Sequence, residues 1–357
     1  MIRPREHLQF VKRDKQSFDS NLNTLHLDMN EYIPYASKLL YDEWINRVTP
    51  ELMSAYPRTS EAYNKISKLI YQPEEKIVLT NGSDGVIYNT LLAFCDPGDL
   101  IGYVIPTYTM YSIYADILNL RTRCVEYDTN GELDKNEILR NITPDMRVFI
   151  LANPNGIFGN DIEPEFLLKI IEKGNLTGTI ILIDEVYAAF IDKGISRFAK
   201  YTDVFDNLII ARSFSKSYGL AGARVGYSIS NRITRKYLIS VRSNVEINAL
   251  AVEAIKVWCS HPDLLIDSIE KILYSKEVFC NEMHSLGVFV IKGYGNFVLI
   301  KIPSDLCDDF RKILEKHEIY VKYLEWKNEK WIRITVGTEE IMRVFTNLLK
   351  KVLANRF

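Results

Sequence analysis

At 357 residues the chain is too long for one ordinary core and suits two domains, or one large domain with a smaller appendage. Hydrophobic residues make up 47% and charged residues 25%, the balance of a globular enzyme, and a net charge of −2 leaves no field to recruit nucleic acid or an anionic membrane. MIRPREHLQFVKRDK lacks the apolar stretch of a signal peptide and no run approaches the ~20 apolar residues of a membrane span, so the expected place is the cytoplasm.

From about residue 61 helical and strand patterns alternate, which predicts an α/β fold with a mostly parallel sheet between helices. SEAYNKISKLIYQ has helical spacing and precedes the short strand KIVLT. NGSDGVIYNTLLAFC is a loop running into a helix, LIGYVIP a strand, TYTMYSIYADILN a helix, and RCVEYD and MRVFILANP are strands. EPEFLLKIIEKG is helical with Gly174 expected as its stop, and TIILIDEVY and NLIIARS read as buried strands. Beyond about Ser240 longer helices are mixed with the strands FVLIKI, IYVKYL and WIRITVG, an α+β pattern. The expected division is an arm over 1–45 that is free to join the second domain, a large domain over 46–240 and a small C-terminal domain over 241–357. Cys95, Cys124, Cys259, Cys280 and Cys307 lack CxxC spacing and read as reduced core thiols. The five histidines lack paired-ligand spacing, so no metal site is expected.

Polar clusters follow the predicted strands: Asn81 to Asp84, Pro106 to Tyr108, Asn153 to Asn160, Asp184 to Tyr187, and Ser213 to Lys216. In open α/β sheets ligands bind outside the carboxyl ends of the strands, so one crevice could gather them all. Lys216, between two serines at such an end, is either a solvated loop lysine or an amine aimed at a ligand. Asp184, directly after IILI, is costly to bury unless it meets a cation or a strong donor; a helix cap or a nearby arginine is the alternative to a protonated ring nitrogen. Gly82, Ser83 and Asp84 open a helix, as an ordinary cap or as a phosphate cradle, and Arg224, Ser213 and Ser215 would add donors to the same anion. Tyr108 could offer a face to a planar ring or pack as core. A lysine, an aspartate, a phosphate cradle and an aromatic plate together meet the needs of pyridoxal phosphate. GxGxxG and GxxxxGK[ST] are both missing, which argues against a dinucleotide or a nucleoside triphosphate.

From LDMNEY to RITVGT the sequence resembles the fold type I, class I/II aminotransferases, and most closely the histidinol-phosphate aminotransferase group. The resemblance of SFSKSYGLAGARVGY implies that Lys216 bonds to the cofactor and that Ser213, Ser215 and Arg224 hold its phosphate. It further implies Asp184 on the pyridinium nitrogen, Tyr187 on the ring oxygen, Gly82, Ser83 and Asp84 at the phosphate turn, and Tyr108 stacked on the ring. Tyr56 in AYPRTS matches an element that reaches the neighbouring subunit's cofactor, which implies a homodimer. Arg333 matches the arginine that holds the substrate carboxylate, and Asn30 and Glu31 match an arm that closes over the site.

Two departures stand out. Where the family pattern is NPNNPTG, with its second Asn donating to the ring oxygen, this chain has NPNGIFG; Gly156 takes that place, leaving Asn155 as a substitute or Tyr187 alone. Lys322 stands where the group usually carries an arginine for the substrate phosphate. The implied activity is transamination from an amino donor, glutamate being expected, to a small keto acceptor that a cation at 322 suits for a phosphate. An amino-acid-phosphate decarboxylase on the same scaffold is the alternative, and a regulatory protein that has kept the fold is a third.

Overall fold

The computed structural model describes residues 5–12, 24–31 and 38–354. The apolar runs become strands, numbered in chain order after β1 (Leu25–Leu27): β2 (Ile77–Asn81), β3 (Leu100–Ile105), β4 (Arg121–Glu126), β5 (Met146–Ala152), β6 (Ile180–Asp184), β7 (Leu208–Ser213) and β8 (Val225–Ile229). β2 to β8 form one seven-stranded sheet in the order β2-β8-β7-β6-β5-β3-β4. Only β8 runs against its neighbours. The expected α/β architecture is therefore the observed one.

Side chains alternate between the two faces of a strand, and both faces are covered here. Leu182 and Ile209 pack with Val86, Ile87 and Leu91 of the helix Gly82–Phe94. Their neighbours Ile181, Ile183, Leu208 and Ile210 pack with Leu167, Ile170 and Ile171 of the helix Pro164–Thr177. Each such side chain contributes about 1.5–3 kcal/mol by leaving water, which explains why strands this apolar occupy the centre. Gly174 does not stop its helix as expected. The helix runs on to Thr177 and ends at Gly178 in the left-handed conformation, while a Cβ at Gly174 would lie 2.6 Å from Ile181 Cγ1. Gly174 is therefore a packing contact that lets helix and strand approach.

β8 is a strand that its glycine-studded sequence does not announce. A Cβ on Gly226 would fall 2.3 Å from the carbonyl carbon of Gly82 and 2.5 Å from the Ser83 nitrogen, so glycine is what lets β8 lie against the start of a helix. The register places Asn81 opposite Val225, Ser213 opposite Gly226, and Asp184 between Ala152 and Ala211. The carboxyl ends of the parallel strands thus meet the amino end of β8 at a single edge.

The second sheet holds β9 (Phe289–Ile291), β10 (Phe297–Lys301), β11 (Ile319–Trp326) and β12 (Glu329–Thr335) in the order β1-β11-β12-β10-β9. β1 joins it in parallel with β11, so residues 24–31 of the arm run along the small sheet. The helix Ala249–Trp258 packs on Lys38–Ile45, Pro50–Ser54 and Ser60–Ile70. A division at residue 240 would cut it from those partners. The long helix Pro262–Ser285, by contrast, packs on β9 and on Glu339–Ala354 of the small unit.

Gly226→Ala should force β8 away from the helix start. The expected cost is about 1–3 kcal/mol of overpacking, read as a lower urea midpoint with an unchanged slope.

Candidate active site

Asp184 closes β6 at the crevice edge and is only 5% exposed. Its Oδ2 accepts the Tyr111 hydroxyl at 2.7 Å and its Oδ1 accepts the Val186 amide at 3.3 Å. Among the described residues no lysine, arginine or histidine lies within ion-pair distance. Burial pushes the carboxyl from its ordinary 3.8 up to about 6, against the pull of these two donors. A buried carboxylate without a cation is a site for one. Tyr111, fully buried, is a site residue that the sequence did not single out; its signal is the i, i+3 spacing from Tyr108 at the start of one helix.

Three strands along the edge lies the anion end. The helix Gly82–Phe94 begins here, and its cap residue Asn81 gives no side chain to the first-turn amides, which leaves them directed at the crevice. Gly82 is left-handed, with φ +71°, and a Cβ there would lie 2.7 Å from the Arg224 guanidinium. Arg224 Nη2 reaches Asp84 Oδ2 at 3.1 Å, and the Tyr108 hydroxyl donates to Asp84 Oδ1 at 2.8 Å. Ser213 and Ser215 are buried at the end of β7, where the Ser215 amide donates to Ser213 Oγ at 3.0 Å. Tyr108 is half exposed, with its ring edge-on to Tyr111 at 5.9 Å. The cradle that glycine opens, one guanidinium and two hydroxyls fit a phosphate, and the Asp184 carboxylate fits a protonated ring nitrogen. Pyridoxal phosphate carries both.

The third part of the site is built on the arm. Lys216 Nζ donates to the Met29 carbonyl at 2.8 Å, and Asn30 Nδ2 donates to the Tyr187 hydroxyl at 2.8 Å. Arg333 donates from Nη2 to the Asp28 carbonyl and from Nη1 to the Gly156 carbonyl, both at 2.8 Å. Its Nε is buried with no partner, burial lowers its pKa, and no carboxylate pairs with it among the described residues. Among the described residues Arg333 thus has no carboxylate at ion-pair distance, with Asp28 acting on it only from farther away, as Asp184 has no cation at that distance. Lys322 lies opposite Arg333 in the register of β11 and β12, so both side chains leave one face of the small sheet.

The ring of Phe297 supports this end, edge-on to Tyr187 at 5.2 Å and 5.7 Å from the Arg333 guanidinium. Near it sits a second residue not foreseen, Lys276, whose ammonium donates to the Gly293 and Gly295 carbonyls at 2.9 Å each. Burial lowers its pKa to about 7. Its signal is a lysine on the apolar stripe Ile269, Ile272, Phe279 and Met283 of one helix.

Asn155 is not available as the substitute donor. Its Oδ1 accepts the Ile157 and Phe158 amides at 2.7 and 2.9 Å, and its Nδ2 donates to the Pro106 carbonyl at 3.1 Å. Gly156 does lie beside the ring of Tyr187, where a Cβ would stand 3.2 Å from Cε2. Tyr56 stands apart from these groups and is 86% exposed. Glu31 is exposed, and its carbonyl accepts from Asn296 Nδ2 at 3.2 Å.

The family described as aminotransferase class I and II matches residues 48–349. The chain is 31% identical, over 84% of each sequence, to a histidinol-phosphate aminotransferase of Caldanaerobacter subterraneus subsp. tengcongensis. Its fold is similar to that of the histidinol-phosphate aminotransferase from Sinorhizobium meliloti, solved in complex with pyridoxal-5'-phosphate: the TM-score is 0.84 at 20% identity, covering 93% of this chain and 92% of the other. An L-threonine-O-3-phosphate decarboxylase from Porphyromonas gingivalis is similar as well, with TM-score 0.78 at 21% identity, covering 92% of this chain and 99% of that one.

Because folding raises the Asp184 pKa, the cofactor-free protein should lose stability as pH rises from about 4 to about 6 and carry the full penalty above that. Asp184→Asn should therefore stabilise the cofactor-free protein at pH 7–8 by on the order of 2–3 kcal/mol and leave it unchanged below pH 4. Urea titrations at several pH values measure this, and equal stability at pH 8 would refute the uncompensated charge.

Proposed function

Because the chain belongs to the class I and II aminotransferases and takes pyridoxal 5'-phosphate as its cofactor, we propose that it moves an amino group from glutamate to a small phosphorylated keto acceptor. The observation that carries this reading is a buried carboxylate with no cation at ion-pair distance among the described residues, Asp184, in a site that also holds Arg333, whose Nε has no partner, and Lys216, which meets the same arm as Arg333.

Bound in the crevice, the cofactor supplies an aldehyde that bonds to amines and a ring that draws electrons from the substrate's Cα. Asp184 keeps the ring nitrogen protonated, and in return the cation relieves its own buried charge. The amides of Ser83 and Asp84, the hydroxyls of Ser213 and Ser215, and Arg224 hold the phosphate, while Tyr108 covers the ring and Tyr187 donates to the ring oxygen. Lys216 would hold the cofactor through its ε-nitrogen, and that nitrogen, when free, would serve as the base that takes the substrate's Cα proton and as the acid that gives it back. Arg333 binds the substrate carboxylate, a role that the unpartnered Nε supports.

Lys322, exposed on the same sheet face, provides the cation for the acceptor's phosphate. It is a point charge and not a planar fork; the cation suits a phosphate on the keto acceptor, and the relatives named as histidinol-phosphate aminotransferases support one. The fold is shared with a decarboxylase, which leaves the choice between the two reactions to the substrate's orientation. Glutamate with a panel of phosphorylated ketones should yield 2-oxoglutarate without CO₂; CO₂ release without 2-oxoglutarate would reverse the assignment.

The exposed Tyr56 supports a homodimer in which it reaches the partner's cofactor, and sedimentation of wild type against Tyr56→Ala tests it. Five free cysteines support a reducing, cytoplasmic setting, and among the described residues no helix is long and apolar enough to cross a membrane.

Lys216→Ala should abolish the visible absorbance of the lysine-bound cofactor, and a retained band would dismiss its assigned role. Arg333→Ala should weaken carboxylate substrates by about 1.5–3 kcal/mol, the cost of a charge left without its hydrogen-bonded partner; an unaltered glutamate KM would discard that assignment.

A further inference from the structure

Tyr187 follows Asp184 by three residues and is the hydroxyl placed to meet the cofactor's ring oxygen. Neither neighbour on the facing loop helps it, since Gly156 has no side chain and the Asn155 carboxamide is engaged within its own turn and on Pro106. What does touch the hydroxyl comes from behind. Asn30 Nδ2 approaches it at 2.8 Å, from a residue that is 0% exposed.

The direction of this bond is fixed by the rest of the chain of contacts. The Asn30 amide donates to Thr335 Oγ1 at 3.0 Å, which leaves that hydroxyl's proton available for the longer, weaker contact to Asn30 Oδ1 at 3.5 Å. With Oδ1 on Thr335, the nitrogen of the carboxamide faces Tyr187. Asn30 therefore donates, Tyr187 accepts, and the tyrosine's own proton is turned away from Asn30. The arrangement is held firmly. Asn30 has φ 52°, a left-handed conformation that Asn tolerates, and Asn296 Nδ2 ties down its carbonyl at 3.0 Å. Thr335 is fully buried on β12, two residues beyond Arg333.

We propose that Asn30 and Thr335 form a directional hydrogen-bond relay that aims the Tyr187 proton at the ring oxygen of the cofactor. Asn30 is in this respect a positioning residue that acts through Tyr187, and the inference rests on the cofactor site described above. A hydroxyl that accepts one hydrogen bond donates a stronger one, by about 10–30% in condensed phase. One tyrosine held in this way supplies the donation to the ring oxygen that residues 155 and 156 do not.

Ring-oxygen donation is readable without turnover, because it favours the anionic oxygen and lowers the pH at which the bound cofactor's visible band changes. The experiment is a spectral pH titration of substrate-free holoenzyme for wild type, Asn30→Ala, Tyr187→Phe, the double variant, Thr335→Val and Thr335→Ser. Tyr187→Phe should raise the midpoint by about 0.5–1 pH unit, the size of one hydrogen bond, and Asn30→Ala by about 0.1–0.3 unit in the same direction. The double variant should move no further than Tyr187→Phe, because Asn30 acts only through that hydroxyl. Thr335→Val should shift in the same direction by less, and Thr335→Ser should restore the wild-type midpoint. Additive shifts, or an unmoved midpoint in both Asn30→Ala and Thr335→Val beside a moved one in Tyr187→Phe, would overturn the relay and leave the cofactor assignment intact. A wild type that takes up no cofactor, with no visible band to titrate, would overturn both. Should Asn30→Ala fail to fold, the two Thr335 variants decide the question.

Discussion

A buried carboxylate with no cation beside it is the constraint around which this molecule is arranged. Asp184 closes the central strand β6 at the edge where the parallel strands end, held by Tyr111 and the Val186 amide but neutralised by neither. Burying a charge in this way works against folding, and its retention makes sense only when a cation is delivered later. The energetic debt at β6 and the affinity for a protonated ring are the same quantity seen in two states.

The opposite deficit lies at Arg333. Its hydrogen bonds go to the carbonyls of Asp28 and Gly156, it lies over the face of Phe297, and among the described residues no carboxylate stands at ion-pair distance, the Asp28 side chain acting on it from farther away. Between the two deficits lies the segment 28–30, which touches Arg333 with one carbonyl, Lys216 with the next, and Tyr187 with the Asn30 side chain. That segment directly follows β1, which pairs with the small sheet, yet it contacts the lysine and tyrosine of the large one. The arm therefore touches Lys216, Tyr187 and Arg333 within three consecutive residues.

Glycines set the close approaches that make the crevice. Gly226 brings β8 against the helix start at Gly82, and Gly293 and Gly159 bring the loop before β10 against the loop after β5, with Lys276 holding that loop by two carbonyls. None of these contacts supplies chemistry. They fix the separation between groups that do, and a separation is what orientation of a substrate depends on.

By itself the sequence determined which strands end in polar clusters and which lysine and aspartate stand at those ends, and the resemblance of its motifs pointed to the family and its cofactor. These are local properties: an apolar run and the residue that ends it are adjacent in the chain. It misjudged Gly174, whose reason for being glycine lies in Ile181 across a packing contact, and it did not mark β8, whose Gly226 looks like loop until Gly82 is placed against it. The tertiary structure alone decided which charges are left unpaired, that Tyr111 rather than a cation holds Asp184, that Asn155 is engaged elsewhere, and that Asn30 meets Tyr187 and Thr335. Those partners lie 157 and 305 residues from Asn30 along the chain. Hydrogen bonds of that span are set by how two sheets are brought together, and no spacing in a linear sequence encodes them.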